Sequence, residues 1–248
     1  MRQKLLFFLA GVVVGLPWIP GMARIASQVP AVATHTGLPV TLTRESGIAA
    51  YAGYSELAQE SPLAGVMPSV VRVTGRAFAG SGVIIEPSGL VLTSAHIIGD
   101  ATQVGVTVGD SKLLTGAVER VDAQRDLALL RLPPGSYPAA VISSDSTPSL
   151  GSRITIIGYP LGLPGTASVT TGIVSRVLDE PELGRTMIQT DAAINLGSSG
   201  GPMLDQQGAV VGIVASILGD YQSITARGIS FAVSAETIRR EFLAMPGR

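Results

Sequence analysis

The chain has 248 residues, 46% of them hydrophobic and 14% charged, with 30 glycines and 16 prolines, enough for a sizeable core in one domain or two small ones. A formal net charge of -1, with no run of five or six like charges, excludes the basic surface that a phosphate backbone requires, so nucleic acid is not an expected partner. The complete lack of cysteine excludes disulfides, thiolate metal sites and cysteine nucleophiles together.

Arg2 and Lys4 precede an uncharged stretch from Leu5 to Ala23, the basic-then-apolar order of an export signal. Its length suits a membrane-spanning helix, which takes roughly 17 to 25 residues. Gly21 and Ala23 offer the small residues of a cleavage site, whereas Pro17 and Pro20 would kink or shorten a retained anchor. Residues 1-23 therefore read as a signal peptide or an N-terminal membrane anchor, and in both cases the chain leaves the cytoplasm. Residues 24-61 show no strand alternation and read as a tether, with one short helix near Gly47 to Gln59.

From Pro62 the texture changes to short runs rich in Val, Ile, Leu and Thr closed by turn formers, the mark of an all-β domain over 62-248. Strands are expected at Val70 to Thr74, Gly82 to Glu86, Leu90 to Ser94, Val104 to Val108, Gly116 to Val121 and Leu127 to Leu132. Pro133-Pro134-Gly135 opens a connector that runs to Gly151, because neither proline can donate to a sheet ladder. A second set follows at Arg153 to Gly158, Ala167 to Val177, Met187 to Asp191, Gly201 to Leu204, Ala209 to Leu218 and Ile229 to Val233, with Asp205-Gln206-Gln207-Gly208 as a hairpin turn. Two sets of six predict two six-stranded antiparallel barrels, over about 62-140 and 150-233. Ile238, Phe242 and Leu243 at helical spacing behind Ser234 predict one short amphipathic helix to Ala244.

Gly197-Ser198-Ser199-Gly200-Gly201-Pro202 sets two serines among three glycines, where the backbone can turn sharply, expose a hydroxyl and aim successive N-H groups at one point. That suits a nucleophile with an oxyanion hole; it also suits a polar surface turn. The same residues match the elbow of α/β-hydrolases, in which the histidine follows the serine. The two histidines, His35 and His96, both precede Ser199, so that order is rejected and any base must come from upstream. His96 stands at the end of an apolar strand, and an imidazole with an ordinary pKa near 6.5 can take a proton from a hydroxyl at neutral pH. His35 falls in the tether. The third member must be a buried carboxylate. Asp126 opens the apolar run Leu127 to Leu132, where an unpaired charge would be costly; Asp122 and Asp100 are its rivals, and a salt bridge from Asp126 to Arg125 or Arg131 is the bland alternative.

Together these residues resemble the HtrA or Deg serine proteases, a branch of the chymotrypsin-like fold. The resemblance covers about residues 64-240 and rests on Met67-Pro68-Ser69-Val70-Val71, Gly80-Ser81-Gly82-Val83-Ile84-Ile85, Leu92-Thr93-Ser94-Ala95-His96, Asp126-Leu127-Ala128-Leu129-Leu130, Gln189-Thr190-Asp191-Ala192-Ala193-Ile194-Asn195, the Gly197 to Pro202 block and Gly228-Ile229-Ser230-Phe231-Ala232-Val233. It implies a catalytic triad of His96, Asp126 and Ser199, an oxyanion hole from the N-H groups of Gly197 and Ser199, polypeptide substrates, no metal or cofactor, and a homotrimer. It places Ala193 at the base of the specificity pocket, with Ser216, Ile217 and Leu218 as a wall; a pocket without a carboxylate is expected to prefer small aliphatic side chains. Two departures stand out. Ser198 replaces the family's usual Asn, and the chain ends too soon after Phe231 to hold the peptide-binding PDZ domain that usually follows. Regulation is then expected from partners, substrate or the loops around Leu178 to Thr186 and Gly219 to Arg227, and the implied setting is the periplasm or cell envelope, with unfolded exported proteins as substrates. The rival class is a catalytically silent relative that binds peptides as a chaperone or scaffold.

Overall fold

The computed structural model describes residues 62-76, 78-109, 112-144, 147-160, 165-215 and 229-244. The export segment 1-23, the tether 24-61 with its expected helix and His35, the pocket wall Ser216 to Leu218 and the loop Gly219 to Arg227 lie outside the described residues. No helix among the described residues is long and apolar enough to cross a membrane.

Twelve strands form two closed antiparallel barrels, as the sequence predicts. The first contains β1 (Val70–Thr74), β2 (Ala79–Glu86), β3 (Leu90–Thr93), β4 (Gln103–Val108), β5 (Lys112–Asp122) and β6 (Leu127–Arg131). The second contains β7 (Arg153–Gly158), β8 (Ser168–Glu180), β9 (Arg185–Thr190), β10 (Pro202–Leu204), β11 (Val210–Ala215) and β12 (Ser230–Ser234). Around the first barrel the order is β1-β2-β3-β6-β5-β4, and around the second it is β7-β8-β9-β12-β11-β10. The two barrels thus repeat one connectivity.

Many of these strands are apolar on both faces because each face has a core to fill. In β3 and β6, Leu90, Leu92, Leu127 and Leu129 point to the seam between the barrels, while Val91, Ala128 and Leu130 fill the interior of the first. Val210 and Ile213 of β11 likewise face the seam, and Val211 and Val214 the interior of the second barrel. Each fully buried Leu or Ile contributes about 1.5-3 kcal/mol relative to exposure, so seam and interiors together hold the barrels in fixed relation without a covalent cross-link. The connector reinforces this: the Ala140 amide donates to the Ile84 carbonyl (2.8 Å) in the first barrel, and the Ser143 amide donates to the Val210 carbonyl (2.9 Å) in the second. Ile142 adds a short parallel pairing with Val210 that the prolines gave no hint of.

Two expectations need correction. Leu178 to Thr186 is a paired hairpin rather than a loop, with β8 running to Glu180 and β9 starting at Arg185. Its polar residues satisfy one another across the strands: Arg185 pairs with Glu180 at 2.6 Å, and the Thr186 hydroxyl donates to Asp179 at 2.8 Å. The C-terminal helix is capped as expected, the Thr237 amide donating to the Ser234 hydroxyl at 3.2 Å. It is α-helical over Ala235–Thr237, however, and then widens to a π-helix over Ile238–Leu243. There Ile238 and Phe242 are buried, and Arg120 donates to the Phe242 carbonyl while lying over its ring.

Candidate active site

Each barrel sends one connection to the seam. Between β3 and β4 the chain forms a single helical turn, Ala95–Ile98, closed by Gly99 at φ 58° with its amide donating to the Ala95 carbonyl. His96 therefore sits within a helical turn, not at the end of the strand: the apolar pair Ile97 and Ile98 is buried and draws the chain inward. The free N-H groups of a helix start need acceptors, and the Asp126 carboxylate provides one, taking the His96 amide at 3.0 Å. The same carboxylate lies 3.0 and 2.9 Å from His96 Nδ1 through its two oxygens. An ionised carboxylate only accepts, so Nδ1 carries the proton and Nε2 is left as the proton acceptor. The imidazole is 37% exposed and the carboxylate 17%, which puts the acid behind the base and the base at the solvent edge.

Asp126 closes the turn between β5 and β6 with φ +57°, the sole non-glycine residue at positive φ among the described residues. Aspartate tolerates this left-handed conformation better than most residues. The rival Asp122 is engaged elsewhere, its carboxylate pairing with Arg125 at 2.8 Å, and Arg131 pairs with Glu119 at 2.8 Å. That hydrogen bond is the main reason the Arg131 guanidinium is raised above its usual range; burial opposes it, and the Glu119 and Glu86 charges add to it. Neither arginine takes Asp126, and Asp100 does not reach His96.

Across the seam, the connection from β9 to β10 holds residues 191-201. The Ser198 amide donates to the Asn195 carbonyl (2.9 Å) and the Gly201 amide to the Ser198 carbonyl (3.1 Å), while Gly197 and Gly200 adopt φ 94° and 81°. The amides of Gly197 and Ser199 on either side of the engaged Ser198 amide donate to no group among the described residues. Ser199 is 3% exposed, and its hydroxyl is not hydrogen-bonded to His96. Such contacts commonly tighten when substrate is present. A Cβ on Gly200 would overlap Ser81 and Thr93 and crowd the Ser94 amide, so the residue after Ser199 lies directly against the strand end that leads into His96.

Sequence reasoning assigned Ser81 no role beyond a motif, yet it holds this loop. Its amide donates to the Ser199 carbonyl at 2.8 Å, and its hydroxyl donates to the Gly197 carbonyl at 2.7 Å while accepting from the Tyr159 amide at 2.8 Å. Its own carbonyl accepts from the Thr93 hydroxyl at 2.6 Å. The flanking glycines were the available signal: a Cβ on Gly80 would crowd Ile97 and the Ser199 carbonyl, and one on Gly82 the Val73 and Val91 side chains. Ser94 adds a bond from its hydroxyl to the Val214 carbonyl at 3.0 Å, the carbonyl that also takes the Gly200 amide. Ser198 is buried, and its hydroxyl accepts from the Asn195 amide at 3.4 Å. Ala193 is exposed and tied to β8 by the Thr170 hydroxyl on its carbonyl at 2.9 Å.

A family model described as a trypsin-like peptidase domain matches residues 80-213. The chain belongs to that family. Among curated relatives of this trypsin-like peptidase, a Synechocystis protein named "Putative serine protease HhoA" is 38% identical over 176 residues, 68% of this chain and 42% of the relative. The serine protease HTRA1A of Danio rerio is 35% identical over 173 residues, 67% of this chain and 34% of the relative. The chain thus spans about two fifths or less of the length of these relatives. A crystal structure of the serine endoprotease from Yersinia pestis superposes with a TM-score of 0.62 at 31% identity, covering 72% of this chain and 62% of that one. The relatives carry names from the HtrA branch, to which the motifs point.

Proposed function

We propose that the chain is an HtrA-type serine endopeptidase in which Ser199 is the nucleophile, His96 the general base and Asp126 the carboxylate that orients it. One observation carries the reading: an imidazole whose Nδ1 is held by a carboxylate follows the strand end at Thr93 and Ser94 against which the Ser199 loop is packed, and the Gly197 and Ser199 amides of that loop are unengaged among the described residues. In this reading Nε2 takes the Ser199 proton as the oxygen attacks a peptide carbonyl, and Asp126 steadies the imidazolium. The amides of Gly197 and Ser199 receive the developing oxyanion, where one such donor contributes on the order of 2.7-4 kcal/mol to the transition state. The imidazolium then protonates the leaving amine, and water admitted to the same base releases the acyl group and restores the serine.

Ala193 places no charge at the expected pocket base, which favours small aliphatic residues such as Val, Ala or Leu before the cleaved bond. The basic-apolar N-terminus supports a place on the exported side of a membrane, as a free or tethered protein, and the resemblance favours unfolded chains as substrates and a homotrimer. The test compares the full chain with Ser199→Ala for labelling by a fluorophosphonate probe and for cleavage of unfolded casein. Both activities are expected in the wild type and neither in the variant. A wild type that neither labels nor cleaves would instead favour the peptide-binding chaperone.

A further inference from the structure

Asp126 is the last residue of a four-residue turn, and the two residues before it reach into the other barrel. Arg125 is folded back on Asp122, its amide donating to Oδ1 at 3.0 Å and its Nη1 to Oδ2 at 2.8 Å. Its Nε donates to the carbonyl of Gly184, at the tip of the β8-β9 hairpin, at 2.9 Å, and its Nη2 lies 3.6 Å from Glu241 of the C-terminal helix. The Gln124 side chain donates to the Glu182 carbonyl at 2.9 Å, and Arg185, itself paired with Glu180, donates back to the Gln124 carbonyl at 3.3 Å. Gly184 takes φ 57°, and a Cβ there would stand 2.5 Å from Arg125 Nη2. The tip is thus shaped to receive the guanidinium. Arg125 is largely buried, with 14% of its side chain exposed, as is Asp122 at 13%.

Aspartate is less strained than most residues in this conformation, but a non-glycine residue there still draws on its surroundings to hold it. The His96 turn holds the carboxylate end of Asp126; the backbone that leads into Asp126 is held by Arg125. We infer that Arg125, docked on the β8-β9 hairpin tip, is a positioning residue: barrel two fixes the conformation of Asp126, and through it the tautomer and aim of His96. The inference rests on the proposed protease reading for its catalytic consequence, but not for its structural one.

The experiment uses the full chain with Arg125→Met, which keeps the packing of the stem, and Gly184→Ala, which leaves the arginine but displaces it. Arg131→Ala, at the far end of β6, is the control. With two histidines in the sequence, ring ¹⁵N chemical shifts report which nitrogen of neutral His96 carries the proton, and the same measurement in a Ser199→Ala background needs no activity. The expected result is a 10- to 100-fold fall in kcat on casein with KM within twofold for both clamp variants, folded as judged by thermal melting, and a shift of His96 from the Nδ1-H toward the Nε2-H form. Arg131→Ala leaves all three unchanged. Clamp variants that keep kcat within twofold and the Nδ1-H form would overturn the inference. A wild type without activity whose tautomer still shifts in Arg125→Met would retain the clamp and reject the protease reading.

Discussion

The connection from β3 to β4 and the one from β9 to β10 occupy the same place in two barrels of identical strand order, yet they are built on opposite plans. The first coils into a helical turn closed by its own backbone and by a carboxylate from the same barrel. The second has no helix; its carbonyls and amides are held by Ser81 of the first barrel and by Val214 of β11. Of the two, the serine loop depends more on the partner barrel at first hand. The His96 turn meets it at first hand through Ser94, which donates to the Val214 carbonyl, and otherwise at one remove, through the Arg125 turn. Damage at the seam should therefore reach Ser199 and the amides beside it before it reaches the His96 imidazole.

The comparison can be broken at graded strength. Asp126→Asn removes the acceptor that fixes the His96 tautomer from within its own barrel, and kcat on casein should fall by roughly 10⁴-fold with little change in melting temperature. Gly200→Ala puts a Cβ into the backbone of the opposite barrel at φ +81°. Strain and overlap together should cost about 2-5 kcal/mol, read as a lower denaturant midpoint, with labelling lost in the same samples. Ser81→Ala deletes one hydroxyl but removes a donor to the Gly197 carbonyl and an acceptor from the Tyr159 amide. A stability loss of about 1-3 kcal/mol is expected, along with a kcat lowered about tenfold while the His96 ring shifts stay put. If Ser81→Ala altered the His96 tautomer as strongly as it altered kcat, the claim that the two connections depend on the seam in different ways would fail. Arg131→Ala should do least: its ion pair with Glu119 is over a third exposed on both sides, and such pairs contribute on the order of 0.2-1 kcal/mol.

Much of the architecture was legible because turn formers bracket each apolar run, and twelve strands follow from that punctuation alone. Strand ends were less so. Asp179, Glu180, Arg185 and Thr186 look like loop residues until they are seen to satisfy one another across a hairpin. His96 was legible as a base because the sequence holds two histidines and one lies in the tether. Its helical turn was not, since Ala95 to Ile98 is too short to show a period. Asp126 stands out over Asp100 and Asp122 because it opens an apolar run; that Asp126 meets His96 while Arg125 takes Asp122 is a tertiary matter that no local pattern announces. The roles of Ser81 and Gly184 are illegible for the same reason, as both act on segments far away in the chain.

The repeated strand order has one more consequence. Synthesis runs from the N-terminus, and domains tend to fold as they emerge, so the half bearing His96 and Asp126 is made before the half bearing Ser199. In the proposed reading the early half holds the base and its carboxylate but not the nucleophile, and the late half brings a serine whose loop is held by Ser81 of the early one. Under that reading, a nascent chain of this design has no complete active site until both halves have met, and the seam acts as a coincidence detector for its own completion.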